Sequence, residues 1–389
     1  MSYAPCSMLK EVNEYMAVIT DLMQTYDQSG GNDYTIAEGI HMISPTDTPL
    51  QLLLPKMQVG AVKAEWIEDE LTGQATTLAA TVADTTTTEI TAASGDGDDK
   101  FPPDVDSYNV VIRVDQEYML VTSKSGDVLT VTRGYGSTTK STHASGAVVH
   151  IISQLEHEGA NGKQAIARVR TKPSNYVQTF SRTVEVSGVQ EAVKKLGGIT
   201  SEVDYQIMQA MRQLALELEK TIVMGVKSQA GDGSSSFRTM GGLWAIVSTN
   251  RTADSGSVDT DAIEADIRAI WDSGGVPRAI VTSGKLAQDI ANLYADRIRT
   301  DIQTTIGGVN ITSVINPLGE GPIAIIPHRT VADGEYYMLD TARIALGYLR
   351  PFFMRDLADD GDADKRWIGG DYTLELMNER AHAYRYGFS

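Results

Sequence analysis

Six histidines, a single cysteine and two acidic clusters are the residues of this 389-residue chain whose types could do chemistry. One zinc-hydrolase signature places two histidines one helical turn apart with a glutamate beside the first. His41, His143, His150, His157, His328 and His382 contain no such pair, and His157-Glu158 is followed by Gly159-Ala160-Asn161, which adds no second ligand. Packing or surface histidines are the expectation. Cys6, standing alone, can form neither an internal disulfide nor a multi-cysteine metal site.

Phosphate-binding loops are equally incomplete. Gly231-Asp232-Gly233 lacks a third glycine and follows a helical pattern, not a strand. Ser283-Gly284-Lys285 resembles the end of a phosphate loop, but Leu286 stands where a Ser or Thr is required and Ala279 where the first glycine belongs. Ser283 reads instead as a helix N-cap. Asp96-Gly97-Asp98-Asp99 and Asp359-Asp360-Gly361-Asp362-Ala363-Asp364 could attract calcium, but neither has the closing glutamate of an EF-hand. Both read as solvated acidic loops. Glu65-Trp66 could form a sugar platform, but an aromatic anchor buried at an interface fits the pair better. No catalytic, cofactor-binding or metal-ligating residue is assigned, and no cofactor is expected.

The net charge of −18 is distributed unevenly: residues 1–75 hold 3 basic and 11 acidic residues, and residues 76–153 hold 5 and 10. Residues 154–389 hold 25 and 30. Such a chain repels phosphate, which excludes nucleic-acid recognition as its main task. Apolar residues at 42% and charged residues at 22% exclude disorder throughout. No apolar run approaches the roughly 20 residues that span a bilayer, and Met1 to Lys10 has no secretory pattern. The length predicts two or three folded units.

The elements that would position these residues follow from periodicity. Leu9, Val12, Met16, Ile19 and Met23 recur at helical steps, before the polar Ser29-Gly30-Gly31-Asn32-Asp33 break. Pro45, Pro49 and Pro55 favour an extended arm. Val62 to Glu70 reads as a strand leaving the body. Residues 76–153 begin with eight threonines between Thr76 and Thr91 and have no helical period. Short β-type runs at Asn109–Val114, Tyr118–Thr122, Asp127–Thr132 and Ala147–Ile152, separated by turn residues, predict a compact all-β module. A long helix is predicted over 201–227, with Val203, Ile207, Met211, Leu214, Leu218 and Ile222 on one stripe. Further on come a helix at 260–272 capped by Asp261 with Glu264, a strand at Arg278–Thr282 and a helix at 284–295. Strands near 309–315, 322–326 and 335–340 follow, and one long strand from Tyr372 to Tyr386 closes the chain. The fold class is α+β, with a β module interrupting the body.

The order of these segments resembles the major capsid proteins of tailed double-stranded-DNA phages, with the Hong Kong 97 (HK-97)-like fold. The resemblance is carried by Ile43-Ser44-Pro45-Thr46-Asp47-Thr48-Pro49-Leu50, by Lys63-Ala64-Glu65-Trp66-Ile67-Glu68-Asp69, and by Asn175-Tyr176-Val177-Gln178 through Val186-Ser187-Gly188-Val189-Gln190-Glu191-Ala192. The helix at 201–227 matches the family's spine helix. The 76–153 insertion departs from the basic fold.

The resemblance implies an N-terminal arm over 1–44 that crosses a neighbour, and an E-loop hairpin from 45–75 and 154–182. It implies a peripheral domain from 183–240 and 351–389, an axial domain over 241–350 and an inserted all-β domain at 76–153. The implied function is a self-assembling icosahedral shell around packaged double-stranded DNA, with no enzymatic activity. The implied partners are copies of itself in hexamers and pentamers, portal and scaffold or decoration proteins, and DNA held without sequence recognition, but no membrane. Trp66, Leu9, Met16 and Met23 are the candidate interface residues. The implied location is the virion, after assembly in the host cytoplasm. Two other readings stand beside it: an encapsulin-like compartment shell, and a surface or tail adhesin whose β module binds glycans.

Overall fold

A computed structural model describes residues 47–389 except 160–161, 164–168, 196–198, 231–236, 295–297, 300–304, 307–308, 311, 315, 319–320 and 359–360. The helical pattern from Leu9 to Met23 and the Gly231–Ser236 turn segment lie outside the described residues.

The body is organised by the helix Glu202–Met224, whose N-cap Ser201 accepts the Asp204 backbone N–H. Its stripe of Val203, Ala210, Leu214, Leu218 and Ile222 is buried against a four-stranded sheet. That sheet runs in the order Lys56–Gln58, Ile344–Asp356, Ala363–Leu376 and Gln178–Ser187. Burying its valine, leucine and isoleucine side chains stabilises by about 1.5–3 kcal/mol each, which explains why the stripe sets the helix's position.

A second, mixed sheet of seven strands joins Arg251–Gly256, Ala383–Phe388, Glu335–Leu339, Ala279–Thr282, Ile323–Pro327, Thr312–Val314 and Ile298–Arg299 in that order. Strand side chains alternate between faces. Val281, Tyr337 and Leu339 therefore join the core under the long helix, while Ile280, Tyr336 and Met338 join a second core with the helices Thr260–Asp272 and Gly284–Leu293.

The third unit is a six-stranded antiparallel sheet in the order Ala75–Thr77, Val148–Gln154, Val110–Val114, Glu117–Ser125, Val128–Arg133 and Glu89–Thr91. It has its own apolar core, with Ile112, Met119, Val121, Leu129 and Val149 fully buried.

Three local expectations are corrected. The run from Tyr372 to Tyr386 is not one strand: Ala363–Leu376 and Ala383–Phe388 belong to different sheets. Asn378, at φ 51° in the left-handed region, turns the chain between them. The helix Thr260–Asp272 is capped by Asp259, which accepts the Ala262 N–H at 2.7 Å, and Asp261 sits inside the first turn. The 76–153 segment also contains a short helix, Asp96–Lys100. It forms because Asp127 accepts the backbone N–H groups of Gly95 and Gly97 and Lys100 pairs with Asp96 at 2.8 Å. Gly97 is needed there, since a Cβ would meet the Gly126 carbonyl oxygen at 2.2 Å.

Candidate subunit interface

Lys63–Glu65 pairs antiparallel with Ser174–Tyr176, and an isolated bridge joins Glu68 to Thr171. This ladder is a two-stranded hairpin held beside the four-stranded sheet, where buried Asn175 donates to the Leu374 carbonyl at 2.7 Å. Trp66 lies on its inner side at 9% exposure, and its backbone N–H donates to the Pro173 carbonyl at 3.2 Å. The indole Nε1–H donates to Glu68 Oε1 at 3.0 Å. The same carboxylate oxygen accepts the Asn378 backbone N–H at 2.6 Å, and Glu70 pairs with Arg380 at 3.2 Å. The hairpin is thereby fastened to the turn that separates the last two strands. Alternation places Ile67 outward at 64% exposure, and Leu71 and Val169 stand 91% and 94% exposed.

Isolated apolar residues on a surface are ordinary, but three on one hairpin mark a surface that gains from a partner. Reading Trp66 as the prominent side chain missed these neighbours, although the in–out alternation around it could have found Ile67. Leu9, Met16 and Met23 lie outside the described residues, so nothing places them beside Trp66.

The histidines take separate places. His143 is buried with Nδ1 at 2.7 Å from Asp115 and Nε2 at 3.1 Å from Glu117. Arg133 donates to both oxygens of Glu117 at 2.7 and 2.6 Å, and the Gly134 and Ser141 backbone N–H groups donate to the same carboxylate. Burial pushes the Glu117 pKa up, but these donors outweigh it and bring it down to about 2. His328 donates through Nε2–H to Glu219 at 3.1 Å, and its Nδ1 accepts the Thr330 N–H. His382 is fully buried, and burial lowers its pKa to about 4. His150 and His157 are exposed.

These groups pair with neighbours and do not converge. Among the described residues, no group of three or more His, Cys, Asp or Glu side chains is placed to hold a metal. Ser283 caps Gly284–Leu293 by accepting the Leu286 N–H at 3.3 Å. Among the described residues no helix is long and apolar enough to cross a membrane.

Sequence comparison decides what this framework serves. The family model of the SU10 major capsid protein matches residues 19–387. The chain belongs to that family. No curated protein matches the capsid protein's sequence. Among solved structures, it is similar to the capsid of an empty GTA particle, at 9% identity and a TM-score of 0.50, covering 95% of this chain and all of that one. Mycobacterium phage Bobi gives 10% identity and a TM-score of 0.45, over 92% of this chain and 95% of that one. An encapsulin complex from Synechococcus elongatus reaches a TM-score of 0.42 at 9% identity, over 56% of this chain and 75% of that one. The mixed α+β fold of this capsid protein is HK-97-like. A subunit of this kind works by presenting surfaces to its copies, so hairpin geometry matters more here than any cavity.

Proposed function

We infer that this capsid protein builds the icosahedral head of a tailed phage, assembling through hexamers and pentamers around double-stranded DNA. The family match over residues 19–387 carries the reading. The shell is the location of the protein, and its assembly takes place in the host cytoplasm with portal and scaffold or decoration proteins. DNA is enclosed without sequence recognition, in keeping with the chain's −18 charge. The subunit does no catalysis and needs no cofactor.

Within this reading, residues 1–44 are the arm, and 45–75 with 154–182 are the E-loop region. Residues 76–153 are an inserted all-β domain, 183–240 with 351–389 the peripheral domain, and 241–350 the axial domain. The hairpin carrying exposed Ile67, Leu71 and Val169 supports the E-loop assignment. The separate core of the six-stranded sheet supports the inserted domain. Trp66, Leu9, Met16 and Met23 are its subunit-interface residues, Trp66 acting by holding the hairpin's shape. The insertion projects outward, because its 10 acidic and 5 basic residues would repel packaged DNA within about 10 Å.

Electron microscopy of the expressed protein tests the function: closed shells are expected, and a soluble monomer at high concentration would overturn it. Deleting residues 1–40 is expected to abolish closed shells while leaving folded subunits, as normal particles from the deletion would refute the arm's role.

A further inference from the structure

The six-stranded sheet buries one face in its own core and leaves Thr77, Val148 and Thr132 exposed on the other. Directly opposed residues of neighbouring strands share a side of a sheet. On the exposed side, Ala75, His150, Arg113 and Tyr118 therefore stand in one row across four strands. The row borders a pocket of about 490 Å³, a size within the range of small-ligand sites. Two features make the room. Ala75 is the smallest side chain of the row, and Ile152 has no residue opposite it, because Val111 pairs with Ser153 and Ile112 with Ile151. Such a bulge re-aims side chains and recurs beside active sites. Here it leaves Ile152 in the pocket wall at 52% exposure.

Arg113 is oriented before any ligand arrives. Its Nε–H donates to the Asp115 carbonyl at 2.7 Å, and its guanidinium carbon lies 6.0 Å from the centre of the Tyr118 ring, a cation–π distance. Among the described residues no carboxylate pairs with Arg113. The two Nη groups are left as a fork, the geometry that grips a carboxylate with two parallel hydrogen bonds. His150 and Gln74 are exposed at the same pocket and add further donors and acceptors.

We propose that this pocket binds the acidic sugar that ends a glycan, with its carboxylate on Arg113 and its hydroxyl groups on His150 and Gln74. Ile152 covers the apolar face of the sugar ring. Two observations favour this ligand class. Peptides are taken up along an edge strand or as a helix in a groove, and the edge strand here, Ala75–Thr77, has only three residues. A polyanion is repelled, because residues 76–153 hold 10 acidic and 5 basic residues. One carboxylate among neutral hydroxyl groups avoids that cost. The pocket belongs to the chain whatever it assembles into, so the inference stands apart from the shell reading.

The test uses the full-length protein. The probes are the methyl glycosides of glucuronic acid and N-acetylneuraminic acid, with methyl glucoside as the neutral control. Saturation-transfer NMR and calorimetry are expected to show millimolar binding of at least one acid and none of the neutral sugar. Absence of binding by both acids overturns the proposal, and so does equal binding of methyl glucoside. Arg113→Gln is expected to weaken binding about tenfold or more, the scale of one hydrogen bond to a charged group. Ala75→Leu fills the pocket while leaving every polar group in place, and is expected to abolish binding. Unchanged amide exchange across Val110–Arg133 shows that the sheet is intact in each variant. Undiminished binding by either variant would overturn the site.

Discussion

The six-stranded sheet and the seven-stranded sheet each bury an arginine–carboxylate pair, but they assemble it from different distances along the chain. In the six-stranded unit, Asp115, Glu117, Arg133, Gly134, Ser141 and His143 close a network within one short stretch. In the body, Arg385 donates to both oxygens of Asp266 at 3.0 and 2.7 Å and to Asp254 at 2.7 Å. Tyr336 adds its hydroxyl to Asp266 at 2.6 Å. That second network joins a helix to three strands of the sheet. The first holds a hairpin and its following loop together, and the second holds a sheet to its helix. A sheet that closes its own polar network adds little demand on the fold around it.

The largest effects should come from cutting each network in turn. Arg133→Ala leaves Glu117 buried without its main counter-charge, and Asp266→Ala leaves Tyr336 and half of Arg385 unmatched. Breaking one side of such a buried pair costs about 3–5 kcal/mol. The four tryptophans, Trp66, Trp244, Trp271 and Trp367, all lie outside 76–153, so their emission follows the body alone. Asp266→Ala should lower the urea midpoint seen by tryptophan emission. Arg133→Ala should leave that midpoint in place and raise amide exchange across Val110–Arg133. Equal shifts of both probes by either variant would show one cooperative unit and remove the contrast.

Acid should separate the same two regions by pH window. His382 stays neutral in the folded body down to about 4, whereas an unfolded histidine binds a proton near 6.5. The unfolded chain therefore gains protons first as pH falls, and body stability declines between about 6.5 and 4. Glu117 remains ionised in the fold down to about 2, while an unfolded glutamate protonates near 4.3. Its contribution is present above that value and is lost as pH falls from about 4.3 towards 2. Each loss is of the order of a few kcal/mol. Urea titrations at pH 7 and 4.5 should show the tryptophan midpoint falling while exchange protection in the six-stranded sheet, corrected for intrinsic rates, holds. Loss of that protection before the tryptophan midpoint moves would reverse the assignment.

The same difference governs what the sequence made legible. Strands at Glu117–Ser125 and Val128–Arg133 could be read because their alternation and the Ser125-Gly126-Asp127 turn between them lie side by side. The long helix was legible for the same reason: its stripe is local. Glu117 and Arg133 read as ordinary strand charges, since only the folded sheet sets them opposite each other. Nothing local in the sequence marks Glu219, since only the fold brings Leu50 and His328 to it. The misread strand from Tyr372 to Tyr386 has a local cause too. Its β-type residues continue through Met377, where the positive φ of Asn378 and the 3₁₀ turn Glu379–Ala381 interrupt them. On the hairpin, Trp66 could be singled out by type, but its partner Glu68 and the Asn378 N–H beyond it needed the fold.

The smallest test compares two helix starts, one in each region. Ser283 Oγ accepts the Leu286 N–H at the start of a ten-residue helix in the body. Asp127 reaches from a neighbouring turn to take the N–H groups of Gly95 and Gly97 at the start of the five-residue helix Asp96–Lys100. Removing a cap costs about 1 kcal/mol, so Ser283→Ala should shift the body's tryptophan midpoint slightly and leave the helix formed. Asp127→Ala should do more to its own helix, because five residues make too few internal bonds to persist without that outside acceptor. Amide exchange is therefore expected to rise across Asp96–Lys100 by tenfold or more, and only modestly across Gly284–Leu293 in Ser283→Ala. If both helices respond alike, the short helix is held by Lys100–Asp96 and by Lys124, whose Nζ donates to the Gly97 carbonyl at 2.9 Å. Asp127 would then be an accessory to that cation pair.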